Sequence, residues 1–249
     1  MTPSLRALII IPARYASTRF PGKPLVEIYG KPMVQHVYEK AVAVTDAVYV
    51  ATDDDRIMDA VVAFGGRAIM TSADHQSGTD RCYEAYTRVA AQQGAFDVVV
   101  NVQGDEPFIL AEQITTLVDC FATPGVEIAT LAKSIERTEE LVDSNKVKVV
   151  FSSQQRALYF SRSPIPFCRG EEPSQWLERA AYYKHIGMYA YRPEVLKAIT
   201  RIPRTPLEQT ESLEQLRWLE SGYAIAVRLT DHESVGIDVP EDLARVPKK

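Results

Sequence analysis

The sequence is poor in cysteine and lacks any long apolar run. Its three cysteines, Cys82, Cys120 and Cys168, are odd in number and show no C-x-x-C spacing, which argues against a disulfide framework and a zinc site. We therefore expect a reduced, cytoplasmic protein. No run approaches the roughly 18 apolar residues that a membrane span needs, and the apolar residues near the N-terminus are too few for a signal peptide. We expect no membrane insertion.

An excess of positive charge is also absent. The chain has 28 basic and 33 acidic residues, a net charge of -5, which lacks the electrostatic footprint of a nucleic-acid-binding protein. Any anionic ligand must therefore be bound by local cations. With 249 residues and 46% hydrophobic content, the chain is long enough for one large domain with a substantial core.

Short apolar runs alternate along the chain with segments of helical periodicity. The runs predict strands at 5–12, 47–52, 67–71, 97–103, 127–133, 146–152, 185–191 and 225–229. The periodic segments predict helices at 32–44, 55–64, 79–92, 111–121 and 208–219, with a short one after Asp238. This alternation indicates an α/β fold whose mostly parallel sheet has helices on both sides. Residues 156–183 are rich in proline and are predicted as an irregular excursion, either a dimer arm or a lid.

The loop after the first predicted strand collects three cations. Arg14, Arg19 and Lys23 lie within ten residues, and Pro21-Gly22 predicts a tight turn beside Lys23. Ligands usually bind at the carboxyl ends of such strands, and these side chains suit phosphate oxygens. The alternative is that they are solvated surface charges. Neither the P-loop nor the G-x-G-x-x-G spacing is present, so a nucleotide would have to be held in another way.

Acidic residues follow several predicted strands. Asp105, in segment 101–107, follows the most apolar strand and offers a hard oxygen ligand of the kind that Mg²⁺ prefers, unless it only bonds its own turn. Asp238 is a second candidate ligand, with a helix N-cap as the alternative. Segment 53–55 contains the D-x-D pattern of nucleotide-sugar glycosyltransferases, but its place before a predicted helix favours a capping role.

These segments occur together in one known family. The sequence resembles the 3-deoxy-manno-octulosonate cytidylyltransferases, or CMP-Kdo synthetases, nearly end to end. The segments that carry the resemblance are 10–19 (IIPARYASTR), 21–25 (PGKPL), 73–79 (ADHQSGT), 101–107 (NVQGDEP), 157–162 (ALYFSR), 213–217 (LEQLR) and 236–238 (GID). Their joint order is more specific than any one of them.

The resemblance implies a fold and an activity. The fold would be a single-domain Rossmann-like α/β structure of the nucleotide-diphospho-sugar transferase type, with the excursion as a small dimerisation element of a homodimer. The activity would be Mg²⁺-dependent transfer of CMP from CTP to the anomeric hydroxyl of a 3-deoxy-2-ulosonic acid, Kdo, with release of pyrophosphate, for lipopolysaccharide biosynthesis.

The resemblance also implies roles for individual residues. The catalytic residues would be Arg14, Lys23 and Asp105. The CTP-binding residues would be Ala13, Arg14, Lys23, Ser77, Gly78, Thr79, Arg81 and Gln103. The sugar-binding residues would be Arg162, His185, Tyr189, Glu214 and Gln215, and the Mg²⁺ ligands would be Asp105 and Asp238.

Several alternatives stay open at this level. By residue type alone, His185 could equally be a packed core histidine, and Glu214 and Gln215 could be the exposed face of a helix. The sugar could be Kdo, its 8-amino analogue or sialic acid. Different classes are a glycosyltransferase that uses Asp53 and Asp55, and a nucleotide-binding protein without catalytic activity.

Overall fold

The computed structural model describes residues 5–16, 20–233, 236–237 and 239–246. The strands are β1 (Ala7–Ala13), β2 (Glu27–Ile28), β3 (Lys31–Pro32), β4 (Val48–Thr52), β5 (Ala68–Met70), β6 (Val98–Asn101), β7 (Ile128–Ser134), β8 (Lys148–Phe151), β9 (Ala157–Ser161), β10 (Tyr183–Tyr191) and β11 (Ile225–Leu229). The α-helices are α1 (Met33–Val42), α2 (Asp55–Ala63), α3 (Gly78–Gln93), α4 (Ala111–Asp119), α5 (Thr138–Val142), α6 (Trp176–Arg179), α7 (Pro193–Ile199), α8 (Pro206–Glu211) and α9 (Glu214–Glu220). Short 3-10 helices occur at Lys23–Leu25, Cys120–Ala122, Pro173–Gln175 and Pro240–Arg245.

A nine-stranded sheet forms the centre of the molecule, with the order β11-β7-β10-β6-β1-β4-β5 along its main path. Strand β1 pairs in parallel with β4 and β6, and the pairs β4–β5 and β11–β7 are also parallel. Strand β10 is antiparallel to both β6 and β7. The hairpin of β8 and β9 attaches to β10. The predicted α/β fold with a mostly parallel sheet is confirmed.

Both faces of the sheet are covered, which explains the nearly continuous apolar runs of its strands. Ile9 and Ile11 of β1 belong to the core cluster on one face, together with side chains of α1, α2 and α4. Leu8 and Ile10 belong to the cluster on the other face, with side chains of α3, α7 and α9. All four β1 side chains are fully buried. The alternation of side chains along a strand therefore supplies both cores from one sequence run.

The segment predicted as one helix, 208–219, is two helices. Ser212 lies between α8 and α9 in the left-handed region, with φ of 52°. The Glu211 carboxylate accepts hydrogen bonds from the Ser161 hydroxyl at 2.6 Å and from the Arg162 amide at 2.9 Å. These bonds hold the end of α8 against strand β9 and break the helical path. Glu214 then begins α9.

The excursion at 156–183 is more regular than its composition predicts. It opens with β9, and a short helix, α6, follows a 3-10 turn. Trp176 is buried and stacks on Tyr182 with ring centroids 6.1 Å apart. Both rings pack with Ile135 and Leu141 in a small separate core. Among the described residues, none of the helices has the length and apolar character needed to cross a bilayer.

Candidate active site

A cleft with a volume of about 200 Å³ lies at the carboxyl ends of β1 and β6. Its lining includes most of the residues that the sequence assigned to nucleotide binding: Ala13, Arg14, Lys23, Ser77, Gly78, Arg81, Gln103 and Asp105. The lining also contains Gln76, which the family resemblance places with the nucleotide-binding segment, and Pro12, Pro24, His75 and Gly104, which were not predicted as site residues. The structure thus brings residues of three separate segments to one place.

The cation loop is held in shape by Tyr15. Gly22 has a φ of 71°, and a Cβ there would lie 3.1 Å from the Tyr15 ring, so this turn requires glycine. The Gly22 amide also donates to the Tyr15 carbonyl at 2.9 Å. The guanidinium of Arg56 lies over the Tyr15 ring, 3.3 Å from its centroid. The loop is therefore anchored to the first turn of α2. The predicted turn beside Lys23 is confirmed. Arg19, the third cation of this loop, lies outside the described residues.

Lys23 and Asp105 form an ion pair inside the cleft. The Lys23 ammonium donates to Asp105 Oδ2 at 2.6 Å, and the two side chains are 12% and 34% exposed. Asp105 reaches this position because Gly104 packs closely on β1: a Cβ at Gly104 would lie 3.0 Å from the Pro12 carbonyl oxygen. The cleft thus holds a phosphate-binding type of cation and a metal-binding type of carboxylate in direct contact.

The start of α3 forms another wall of the cleft. Ser77 is the N-cap, and its hydroxyl accepts a hydrogen bond from the Asp80 amide at 3.1 Å. Gly78 is the first residue of this helix of 16 residues. The free amides and the dipole at a helix start favour an anionic ligand.

Arg81 is buried behind this wall and has two recorded partners. It donates from Nη2 to Asp53 Oδ2 at 2.8 Å and from Nη1 to the Thr71 hydroxyl at 2.5 Å. The capping role predicted for segment 53–55 belongs to Asp54, whose carboxylate accepts from the Arg56 amide at 3.0 Å. Asp53 instead forms an ion pair with a cleft residue, a role that the sequence did not indicate.

The donor set for Mg²⁺ is small among the described residues. No group of three or more His, Cys, Asp or Glu side chains in the described part of the chain is arranged to hold a metal ion. Asp105 supplies one carboxylate, and its carbonyl accepts from the Ile237 amide at 3.0 Å. Asp238, the other predicted ligand, lies outside the described residues. Because Mg²⁺ is commonly bound by one or two carboxylates together with substrate phosphates, this set fits an ion that arrives with a nucleotide.

A bulge in β10 brings two predicted sugar-binding residues together. The register with β7 shifts between Ile186 and Tyr189. His185 and Tyr189 are four residues apart, about 13 Å on a regular strand, yet their ring centroids are 5.3 Å apart. Alternation is kept through the bulge, since Ile186 and Met188 pack in one core and Tyr189 in the other, but alternation does not predict that the bulge shortens the distance between His185 and Tyr189.

His185 is a neutral hydrogen-bonding group in this position. Burial lowers the pKa of His185 to about 3. The Thr130 hydroxyl lies 2.8 Å from the Met188 carbonyl and 2.9 Å from His185 Nε2. Since a hydroxyl has one proton, Thr130 accepts from His185 Nε2 in the arrangement in which it donates to the Met188 carbonyl.

Glu214 and Gln215 begin α9 and are not a solvated helix face. Gln215 is buried, and Glu214 Oε2 accepts from the Thr79 hydroxyl at 2.7 Å. Burial raises the pKa of the Glu214 carboxyl, although the bond from Thr79 opposes this. Thr79, predicted to bind CTP, is not among the lining residues of the cleft and instead connects α3 to α9.

Arg162 lies apart from the cleft, at the junction of α8 and α9. Its guanidinium donates to the carbonyls of Glu211 at 2.7 Å, Ser144 at 3.1 Å and Ser212 at 3.3 Å. These bonds fix the turn that precedes Glu214. The predicted contact of Arg162 with a sugar stays a prediction.

Two further side chains, His75 and Cys82, lie close to the start of α3. Burial raises the pKa of the Cys82 thiol well above its usual value, which makes it unreactive. His75 lines the cleft, and its Nε2 lies 2.5 Å from Glu84 Oε2. Its place in segment 73–79, beside Ser77 and Gly78, was the available signal that it belongs to the site.

Comparison with known proteins identifies the family of the chain. Residues 8–228 match the sequence model of the family described as Cytidylyltransferase. The 3-deoxy-manno-octulosonate cytidylyltransferase of Parabacteroides distasonis is 55% identical over 240 residues, which are 95% of this chain and 94% of that protein. The protein of the same name from Phocaeicola vulgatus is 56% identical over 239 residues, again 95% and 94% of the two chains.

A solved structure is similar over nearly the whole fold. It is that of CMP:2-keto-3-deoxy-manno-octonic acid synthetase in complex with CTP, with a TM-score of 0.88 and 46% sequence identity. The similarity covers 97% of this chain and 96% of that chain. By sequence along almost its entire length and by fold, the chain is an enzyme that belongs to the 3-deoxy-manno-octulosonate cytidylyltransferase family.

Proposed function

We propose that this enzyme transfers CMP from CTP to the anomeric hydroxyl of Kdo, giving CMP-Kdo and pyrophosphate. The observation that carries the proposal is the cleft at the strand ends, where Arg14, Lys23 and the start of α3 surround Asp105. The names of the relatives support Kdo as the sugar, and the CTP in the similar solved structure supports the nucleotide.

In the proposed reaction, the oxygen of the sugar hydroxyl forms a bond to the α-phosphorus of CTP. The bond from that phosphorus to the oxygen bridging to the β-phosphate breaks, and the hydroxyl proton leaves to solvent. Arg14 and Lys23 bind the triphosphate and stabilise the negative charge that develops on pyrophosphate. Ala13, Ser77, Gly78 and Gln103 position the nucleotide, because transfer of this kind depends mainly on orientation and charge stabilisation. The nucleotide roles of Thr79 and Arg81 are part of the same proposal.

The sugar site is proposed on the other side of the strand ends, around the β10 bulge. His185 and Tyr189 would contact the sugar hydroxyls, with Glu214 and Gln215 at the start of α9. Since His185 is neutral above a pH of about 3, it would act through hydrogen bonds and not through charge. Arg162 is included as a sugar-binding residue on the family resemblance.

We infer that Asp105 and Asp238 hold Mg²⁺ during the reaction. The ion would supply positive charge at the α-phosphate and lower the pKa of a nearby hydroxyl. Lys23 competes with the ion for the Asp105 carboxylate, and a bound triphosphate would give Lys23 an alternative anionic partner.

We also infer that the enzyme works as a cytoplasmic homodimer in lipopolysaccharide biosynthesis. The free cysteines fit a reducing compartment. The excursion exposes two large apolar side chains, Phe167 at 73% and Leu158 at 63%, which a partner subunit would cover. Static light scattering of the purified protein tests this, and a mass of one subunit at micromolar concentration would contradict it.

The test of the reaction is pyrophosphate release from CTP, Mg²⁺ and one sugar at a time. Kdo, its 8-amino analogue and sialic acid are compared, and each CMP-sugar is identified by mass. We expect release with Kdo and none when EDTA is present. CTP binding without release for any sugar would refute the proposed function and favour a nucleotide-binding protein without catalytic activity.

A further inference from the structure

The ion pair between Arg81 and Asp53 has a geometry that a surface charge pair lacks. Their side chains are 4% and 16% exposed, and Nη2 and Oδ2 are 2.8 Å apart. The second anchor, Thr71, is itself fixed, because its hydroxyl lies 3.0 Å from the Thr52 carbonyl. The guanidinium therefore has one orientation, set by residues that follow β4 and β5.

This anchoring places the Arg81 guanidinium beside the carboxyl ends of β4 and β5, whereas Asp105 follows β6. Neighbouring strands lie about 4.8 Å apart, and β6 and β5 are separated by β1 and β4. The carboxyl ends of β6 and β5 are thus roughly 14 Å apart. Asp105 follows β6, and Thr71 follows β5. Because both residues line the same cleft, a nucleotide whose phosphates lie beside Asp105 can extend its nucleoside to Arg81.

The positive charge of Arg81 is also neutralised by its neighbour Asp53. Asp53 neutralises the guanidinium in the ligand-free protein, so Arg81 adds little to the net attraction for a triphosphate. A guanidinium carries five N–H donors, and the two recorded contacts use one on Nη1 and one on Nη2. Further donors are available to the cleft that Arg81 lines.

We propose that Asp53 is a positioning residue for the nucleoside part of the nucleotide. It holds Arg81 in a fixed orientation in which the remaining donors hydrogen-bond the base or ribose, and it does not act on the phosphates. The inference rests on the proposed function, because it takes CTP as the ligand. Asp53, which belongs to a D-x-D pattern typical of glycosyltransferase metal sites, would thus serve nucleotide binding in this enzyme.

The test compares Asp53→Asn with the wild-type enzyme by calorimetric titration of CTP and of CMP. If Arg81 serves the nucleoside, both ligands lose affinity by a similar factor, about fivefold to tenfold, the scale of one charge-assisted hydrogen bond. The turnover number at saturating CTP changes by less than about threefold, and Asp53→Glu restores part of the affinity. Asp55→Asn, an exposed carboxylate two residues away, is the matched control and binds both ligands as the wild type does.

A purely electrostatic effect of Asp53 predicts a change in CTP affinity of the opposite sign. If Arg81 bound the triphosphate, removal of the Asp53 charge would strengthen CTP binding more than CMP binding, and that result would overturn the proposal. Unchanged affinities for both ligands would overturn it as well. Should Asp53→Asn fail to fold, Thr71→Val removes the other anchor and is held to the same expectations. A wild-type enzyme that neither binds CTP nor releases pyrophosphate would instead defeat the proposed function, so the two failures are distinguishable.

Discussion

Replacement of Lys23 by Met is expected to change metal binding and turnover in opposite directions. In the ligand-free protein the ammonium occupies Asp105 at 2.6 Å. An ion pair whose carboxylate is one-third exposed contributes about 1 kcal/mol net, because solvent screening and side-chain entropy offset most of the attraction. A divalent cation that binds Asp105 competes with this ammonium for the carboxylate and is repelled by its charge. Without Lys23, we expect the cation to bind about fivefold more tightly in the absence of nucleotide.

Turnover is expected to fall in the same variant. Lys23 is proposed to stabilise charge on the departing pyrophosphate, and loss of one such preorganised contact costs about 2.7 to 4 kcal/mol, or roughly 10²- to 10³-fold in rate. The assays are Mn²⁺ titration followed by electron paramagnetic resonance, with no nucleotide present, and steady-state pyrophosphate release. Lys31→Met is the control, because Lys31 pairs with Glu39 on the exposed surface.

The two measurements refute different parts of the reasoning. Mn²⁺ affinity that is unchanged or weaker in Lys23→Met would show that the ion pair does not compete with metal binding. Turnover within threefold of wild type would remove Lys23 from catalysis. Lys31→Met should match the wild type in both assays.

Three further predictions concern groups whose environment is defined by the fold. Between pH 6.5 and about 3, His185 binds a proton in the unfolded chain but not in the folded protein. The free energy of unfolding should therefore fall by up to about 1.4 kcal/mol for each unit by which the pH drops in this range. Denaturant titrations of His185→Gln should lack this pH-dependent component. The pKa of Glu214 is raised, so the charged form destabilises the fold above the ordinary glutamate range; Glu214→Gln should melt at a higher temperature than wild type at pH 7.5, and the difference should vanish near pH 4. Gly104→Ala should lower stability by about 1 to 3 kcal/mol in urea unfolding and weaken CTP binding, since its methyl group would press on the Pro12 carbonyl; wild-type stability in this variant would contradict the close packing.

Much of the fold follows from the sequence because its strands are buried on both faces. The run at 97–103 contains the observed strand β6, the run at 5–12 covers all but the last residue of β1, and the segments that follow these strands line the cleft. Position after a buried strand was thus a sound physical signal for the place of Arg14 and Asp105 in the cleft. The helices α5 and α7 were not predicted, since short helices carry little periodicity.

The remaining features depend on tertiary contacts. The predicted helix is broken at Ser212 because Glu211 is hydrogen-bonded to Ser161 of β9. These two residues are 50 positions apart in the sequence, so no local pattern indicates the contact. The partnership of Asp53 with Arg81 joins the end of β4 to α3 and has no local signature. The alternation of residues along β10 likewise does not reveal the bulge, although the bulge decides where His185 lies.

The antiparallel strand in the middle of the sheet has a consequence for synthesis of the chain. Strands β1, β4, β5 and β6 are complete once residue 101 has been made, but the neighbour of β6 on its other side is β10, which ends at residue 191. Domains made from the N-terminus fold as their parts emerge, so β6 would present an unpaired edge while the next 90 or so residues are translated. An unpaired strand edge is a template for pairing with another chain. The enzyme would therefore be most prone to aggregation when translation stalls between β7 and β10, before the sugar half of the site exists.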